Sequence, residues 1–79
     1  MTIKKLLIAN RGEIASRIIS SAHDMGISCV AIYTEADKDT PYVREADQAF
    51  KLSDSYLNSK EILDIALKSN SDAIHPGYG

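Results

Sequence analysis

The stretch at residues 6–15, near the start of the chain, restricts the possible folds more than any other. Its apolar run at residues 6–9 is too short for a helix and predicts a strand that is buried on both faces. Asn10 and Gly12 both tolerate the positive φ that a sharp reversal requires, so we expect a turn after the strand. Strand, turn and helix in that order form the first half of a βαβ unit, in which the loop at the carboxyl end of the strand holds ligands.

The remaining sequence continues to alternate between strands and helices. We predict strands at about residues 3–9, 27–33, 48–52 and 72–75. Helices are predicted over residues 12–25, over a short turn at 42–46, and from residue 58 to about residue 70. This alternation predicts an α/β fold whose Rossmann-like parallel sheet has the element order β-α-β-(short α)-β-α-β.

Each of the two long helices is predicted to bury one apolar face. In the first helix the stripe consists of Ile14, Ala15, Ile18, Ile19 and Ala22. In the second it consists of Ile62, Leu63, Ala66 and Leu67. Gly26 is the expected stop of the first helix. Asn58 and Glu61 have the spacing of a capping box at the start of the second.

Composition and charge exclude several classes of partner. The net charge is −2, the lysines and arginines are scattered, and aromatic residues make up 6% of the chain, so neither nucleic acid nor an anionic membrane is an expected partner. The one cysteine, Cys29, lies in an apolar run and is expected to be a buried free thiol in a reducing compartment. The sequence shows no signal peptide and no membrane-spanning run, so we expect a cytoplasmic protein.

Two acidic residues have the spacing of a dinucleotide-binding site, but the glycines of such a site are missing. Glu35 and Asp37 follow Gly12 by 23 and 25 residues, close to the ~20 residues that separate a glycine turn from a ribose-binding acid. Because the first loop has only Gly12, its backbone is not expected to approach a pyrophosphate. The phosphate loop of nucleoside triphosphatases is also absent from the sequence. The residues by themselves therefore indicate no particular reaction.

Several polar residues near the predicted loops have both a structural and a functional interpretation. Arg11 opposes the dipole at a helix start, so we expect it to form an ion pair across the domain or to meet an anion at the strand ends. Arg17 is either solvated or in contact with a partner subunit, and His23 is expected at the surface. His75 either braces the last loop or acts as an acid or base. Tyr78 lies between two glycines, whose backbone can come close to a ligand.

The opening sequence Ile-Ala-Asn-Arg-Gly-Glu-Ile-Ala, at residues 8–15, resembles the start of the biotin carboxylase family. The similarity continues in register to Ala-Ile-His-Pro-Gly-Tyr-Gly at residues 73–79, so it covers the whole chain. It implies the amino-terminal subdomain of the carboxylating unit of acyl-CoA and pyruvate carboxylases, a subdomain of the pre-ATP-grasp type. Residues 1–79 would be a part of that subdomain, ending before the family's next residues. The loop at residues 53–55 is shorter than in many relatives, which we expect to alter a surface turn only.

The resemblance implies an activity that needs more than these residues. In the family, MgATP phosphorylates bicarbonate, and the carboxyl group then passes to biotin on a carrier partner. The implied cofactors are biotin, ATP and Mg²⁺ or Mn²⁺. The implied partners are the biotin carboxyl carrier and a carboxyltransferase, with a homodimer in the complete enzyme. Because the ATP-grasp part would lie outside residues 1–79, we expect this chain alone to be inactive and to bind none of these cofactors.

The resemblance also gives roles to particular residues. Tyr78 and Gly79 would line the biotin side of the site, and Arg17 corresponds to a position at the subunit interface of dimeric relatives. The other matched residues are expected to shape the loops: Asn10, Arg11, Gly12, Glu13, His75 and Gly77. No catalytic residue or metal ligand is expected. Two alternatives stay open: a stand-alone module that assembles carboxylase subunits, and a pre-ATP-grasp domain of another ligase, which the opening motif disfavours.

Overall fold

A four-stranded, all-parallel sheet with helices on both faces forms the protein, as seen in a computed structural model that describes residues 2–53 and 55–76. The elements in chain order are β1 (Lys5–Ile8), α1 (Gly12–Asp24), β2 (Ser28–Tyr33), a single 3₁₀ turn (Glu35–Asp37), α2 (Pro41–Glu45), β3 (Gln48–Lys51), α3 (Ser59–Lys68) and β4 (Ala73–His75). The strand order is β3-β2-β1-β4, so β1 and β2 are central. The predicted α/β fold with a parallel sheet is confirmed. Among the described helices, none combines the length and apolarity needed to cross a membrane.

The turn between β1 and α1 uses the conformational freedom of one residue, not two. Gly12 has φ +64°, as predicted, and Gly26 has φ +76° just after α1. Asn10 tolerates a positive φ but does not adopt one, since among the described non-glycine residues only Asn70 does. Asn10 is buried and instead donates its side-chain amide to the carbonyl of Pro76, at 3.1 Å. Asn10 therefore contributes to the turn by binding the segment after β4.

The continuous apolar runs of the central strands are explained by a core on each face of the sheet. Successive residues of a strand point to opposite faces, so a strand covered on both sides must be apolar throughout. One core packs against α3 and contains Leu7, Val30, Ile32, Leu52, Ile62, Ile65 and Ala66. The other packs against α1 and α2 and contains Ile8, Ala15, Ile19, Ala22, Cys29, Ala31 and Tyr42.

The predicted buried face of α3 is wrong by part of a helical turn. The buried residues are Ile62, Ile65 and Ala66, whereas Leu63 and Leu67 are 54% and 76% exposed. Both sets have an apolar spacing of three and four residues, so the sequence pattern alone allows either face. The face that is observed is the one that covers the sheet, and two leucines remain on the outer side.

The first helix buries a narrower stripe than the sequence predicts. Ala15, Ile19 and Ala22 are buried, and Ile18 is partly buried. Ile14 is exposed although it belongs to the predicted stripe. It lies on the flank of α1 nearer to β4, where it borders an open groove instead of the core.

The start of α3 has half of the predicted capping box. The side-chain oxygen of Asn58 accepts a hydrogen bond from the backbone N–H of Glu61, at 3.1 Å. The carboxylate of Glu61 does not return this bond to the N–H of Asn58, which donates to the carbonyl of Ser55. It accepts instead from the backbone and hydroxyl of Ser53, at 2.8–3.1 Å. Glu61 thus fastens the segment after β3 to α3.

Candidate functional site

The loops that follow β1 and β4 are joined at the carboxyl edge of the sheet. Ile8 is in register with His75 in the two neighbouring strands. One residue further on, the N–H of Ala9 donates to the carbonyl of His75, at 3.0 Å. The amide bond from Asn10 to Pro76 then extends the pairing beyond the strands. Residues of both sequence motifs therefore lie side by side, at the edge where α/β folds hold ligands.

Arg11 forms an ion pair with Asp37, which lies in the loop after the neighbouring strand β2. Its Nε and Nη2 atoms donate to the two carboxylate oxygens, each at 2.8 Å. The side chain of Asp37 is only 8% exposed, whereas that of Arg11 is 61% exposed. The hydrogen bond from Arg11 lowers the pKa of Asp37, and burial opposes this shift. The prediction of an ion pair for Arg11 is confirmed.

Two tyrosines complete the network around Asp37. The hydroxyl of Tyr56 donates to Oδ2 of Asp37 at 2.5 Å and accepts the backbone N–H of Thr34 at 3.2 Å. The hydroxyl of Tyr42 lies 2.8 Å from that of Tyr56 and donates to the carbonyl of Ile32 at 2.9 Å. Burial is the main cause that raises the pKa of Tyr42, so this hydroxyl keeps its proton.

Neither Tyr42 nor Tyr56 has a role that is predicted from the sequence. The residues before each tyrosine have no clear helix or strand periodicity, and neither tyrosine lies in a recognisable ligand motif. The useful signal is positional: Tyr56 follows β3, so its loop must come to the same edge as the loops after β1 and β2. In the structure the guanidinium carbon of Arg11 lies 5.6 Å from the centre of the Tyr56 ring, within cation–π distance.

A small hollow opens beside this network. Its volume is about 170 Å³, and it is lined by Ala9, Asn10, Arg11, Ile14 and Tyr56. Ligand pockets for drug-sized molecules measure roughly 300–1,000 Å³, so this hollow by itself is too small to enclose a nucleotide. The described residues form one wall of a site, and the partly exposed guanidinium of Arg11 lies on that wall.

The other predicted residues at this edge have separate environments. Glu13 is exposed in the first turn of α1. Arg17 and His75 are exposed and border the same open groove between α1 and β4, about 610 Å³ in volume. Residues 77–79, which include Tyr78 and both flanking glycines, lie outside the described residues, so the structure does not place the predicted biotin-side residues.

The acids that suggested a dinucleotide site are occupied by internal ion pairs. Glu35 pairs with Lys38 and Lys51, and these two lysines lower its pKa to about 2. Asp37 is held by Arg11, as described above. Within the part of the chain that the structure describes, no group of three metal-ligating side chains lies at the carboxyl edge. These residues therefore do not fit a magnesium–nucleotide site, and no step through that group follows from them.

Comparison with known proteins places the whole chain in one sequence family. Residues 2–79 match the family described as "Biotin carboxylase, N-terminal domain". The chain is 56% identical to biotin carboxylase 1 of Bacillus subtilis over 82 aligned residues, which cover 98% of this chain and 18% of that protein. It is 49% identical to the mitochondrial methylcrotonoyl-CoA carboxylase subunit alpha of Glycine max, covering 98% of this chain and 11% of that subunit.

Solved structures agree with this result. The biotin carboxylase domain dimer of the 2-oxoglutarate carboxylase of Hydrogenobacter thermophilus, in complex with MgADP, ADP and bicarbonate, superposes with a TM-score of 0.93 at 44% identity. That match covers 100% of this chain and 18% of the solved chain. The chain thus spans less than a fifth of the length of the curated relatives that it matches, between 7% and 18%.

Proposed function

Because this chain belongs to the biotin carboxylase N-terminal domain family, we propose that it is the opening part of an ATP-dependent biotin carboxylase. In the proposed enzyme, MgATP phosphorylates bicarbonate and the carboxyl group passes to biotin on a carrier. The observation that carries the proposal is the family match over residues 2–79. The bicarbonate and MgADP in the Hydrogenobacter thermophilus domain support the choice of substrates. The biotin carrier and a carboxyltransferase are the proposed partners, and the dimer in that structure supports a homodimer to which Arg17 contributes.

We assign the described residues a positioning role in this enzyme. Arg11, Asp37 and Tyr56 fix the loop after β1 against the loops after β2 and β3. The amide of Asn10 holds the backbone at Pro76, two residues before the glycine-flanked Tyr78. The bond from Asn10 thereby fixes Pro76 against the loop after β1. ATP, the divalent metal and the groups that transfer protons would be held by parts of the enzyme outside residues 1–79, so this chain alone is proposed to be inactive.

We further propose that Tyr78 and Gly79 contact the biotin side of the site. A glycine on each side lets the backbone approach a ligand, and a tyrosine offers a flat apolar face and a hydroxyl to the ureido ring. We also propose that the enzyme works in a reducing interior such as the cytoplasm, without a nucleic acid or membrane partner. The buried free thiol of Cys29 supports this location.

A chimaeric enzyme tests the proposed function. Residues 1–79 replace the aligned segment of the Bacillus subtilis biotin carboxylase 1, to which they are 56% identical. We expect biotin-dependent hydrolysis of ATP in the presence of bicarbonate, at a rate comparable to that of the parent enzyme, and none from the 79-residue chain alone. The parent enzyme is the matched control. A folded but inactive chimaera, or hydrolysis by the chain alone, would contradict the proposal.

The same chimaera tests the role of Tyr78. Tyr78→Ala should raise the KM for biotin far more than the KM for ATP, because only biotin would lose a contact. Tyr78→Phe keeps the ring and removes the hydroxyl, so it separates packing on the ring from hydrogen bonding. Equal effects of Tyr78→Ala on the two KM values would reject this role and leave the assignment to the family unaffected.

A further inference from the structure

A second cluster of chemically reactive side chains lies at the opposite, amino edge of the sheet. It consists of His23 in the last turn of α1, Cys29 in β2 and Asp47 just before β3. One imidazole nitrogen, the thiol sulfur and one carboxylate oxygen all lie within 4.8 Å of one another. The proposed carboxylase site does not use any of these residues, because that site is at the carboxyl edge.

The topology of the sheet brings these three residues together. The chain reverses at Gly26, so the end of α1 returns directly into β2. Val30 is in register with Gln48, which puts the preceding residues, Cys29 and Asp47, next to each other at the start of two parallel strands. Two backbone contacts fix them there. The N–H of Cys29 donates to the Asp47 carboxylate at 2.7 Å, and the N–H of Asp47 donates to the Cys29 carbonyl at 2.9 Å.

The donor set and its spacing suit a borderline-soft metal ion. Imidazole nitrogen, cysteine sulfur and carboxylate oxygen are the three ligand types that Zn²⁺ takes in proteins. Bond lengths of about 2.0–2.3 Å in a tetrahedron separate the ligand atoms by roughly 3.3–3.6 Å. The observed separations range from 2.8 Å, between His23 Nε2 and Asp47 Oδ2, up to 4.8 Å. Adjustments of about an ångström would therefore bring all three onto one ion.

The exposure of the cluster fits three protein ligands with one open position. Cys29 is fully buried, so the sulfur lies at the closed end. The side chains of His23 and Asp47 are 39% and 48% exposed, which leaves the outer end accessible to an ion and to water. Mg²⁺ prefers an octahedron of oxygen ligands, so a site with one sulfur and one nitrogen disfavours it.

We propose that His23, Cys29 and Asp47 bind a divalent transition metal ion of the zinc class. On binding, the S–H bond of Cys29 is replaced by a sulfur–metal bond, and its proton passes to solvent. The ion displaces the hydrogen bond between His23 and Asp47 and links the end of α1 to the entry of β2 and β3. The role is structural, because the ion replaces the one hydrogen bond between the side chains of His23 and Asp47 with bonds to all three residues.

Cobalt(II) titration of the reduced 79-residue chain tests this proposal. We expect one equivalent of Co²⁺ to give a thiolate-to-cobalt charge-transfer band, and Zn²⁺ to displace it. Cys29→Ser should abolish the band, and His23→Gln should weaken binding by about tenfold or more. Asp24→Asn, next to His23 but outside the cluster, is the matched control and should bind as the native chain does.

Thermal unfolding provides the second measurement. Zn²⁺ should raise the melting temperature of the native chain and of Asp24→Asn, and should have no effect on Cys29→Ser. His23 is partly exposed, so His23→Gln keeps the test informative even where Cys29→Ser fails to fold. A native chain without the charge-transfer band, or a band that His23→Gln leaves at full affinity, would overturn the proposal.

Discussion

Replacement of Asp37 by asparagine probes the network that holds three loops at the carboxyl edge. The native carboxylate has two oxygens, and three donors converge on them, two from Arg11 and one from Tyr56. Asparagine has nearly the same shape but only one acceptor oxygen. Its amide nitrogen is itself a donor, so in either orientation it faces a donor of Arg11 or Tyr56. The substitution therefore removes the charge and creates a mismatch without opening a cavity.

The magnitude follows from the burial of each partner. Arg11 is largely exposed, so its guanidinium can return to water, and we count no loss from its side. The cost falls on residue 37 itself, because it is buried and its new amide nitrogen faces a donor in either orientation. Leaving a buried polar group unsatisfied costs about 1–3 kcal/mol, and we expect a loss of about 2 kcal/mol in the free energy of unfolding. For a domain of this size that corresponds to a fall of roughly 8–16 °C in melting temperature.

Thermal melts at neutral pH measure this loss, with Asp39→Asn as the matched control. Asp39 lies two residues further along the same loop, and its side chain is exposed. The control should change the free energy of unfolding by less than about 0.5 kcal/mol. Arg11→Gln, made in both the native and the Asp37→Asn background, measures the coupling of the pair in a double-mutant cycle. If Asp37→Asn and Asp39→Asn have the same melting temperature, the network does not hold the loops and our assignment of its role is wrong.

Three other predictions concern single contacts. Asn58→Ala removes the oxygen that caps α3 and should lower the free energy of unfolding by about 1 kcal/mol in a urea titration; no change would mean that the cap contributes nothing. Ile65→Ala should cost about 2–3 kcal/mol and Leu67→Ala less than about 0.5 kcal/mol, because only Ile65 is buried; the reverse order would restore the face predicted from sequence. Two lysines lower the pKa of Glu35 to about 2, so its stabilisation is complete above its unfolded pKa of roughly 4.3 and is lost as the pH falls toward 2. Melts across that range should therefore fall less steeply for Glu35→Gln than for the native chain, and equal slopes would exclude this contribution.

The sequence predicts the fold well because the apolar runs of the central strands fit only one environment, a strand covered on both faces. The runs before Asn10 and Tyr33 are too short for helices and too continuous for a strand with one wet face, so a parallel sheet covered on both sides remains. The face of α3 that packs on the sheet cannot be predicted in the same way. Its leucines and isoleucines permit two overlapping apolar faces, and the choice depends on how β4 and the Ser53–Glu61 contact orient the helix. The buried face of α3 also packs on Leu7 and Val30, which are far from the helix in sequence, and a local pattern does not contain such contacts.

The ion pair of Arg11 shows how much of the site could be derived from topology. Its spacing from Gly12 suggested that Asp37 is a ribose-binding acid. The sheet order gives a better reason for its position. Because β1 and β2 are adjacent and parallel, the loops after them emerge side by side, and a cation in one meets an anion in the other across 26 residues.

The same rule extends to the third strand and leads to the site as a whole. β3 neighbours β2, so the segment after it also reaches the carboxyl edge and supplies Tyr56. The segments after three adjacent strands thus supply Arg11, Asp37 and Tyr56, and Tyr42, which also follows β2, adds a second hydroxyl. In a parallel sheet the loops after adjacent strands lie next to each other at the carboxyl edge. Polar residues shortly after the strand ends can therefore contact one another. Strand order, once predicted, is therefore a stronger guide to the partners of Arg11 than the spacing of acids along the chain.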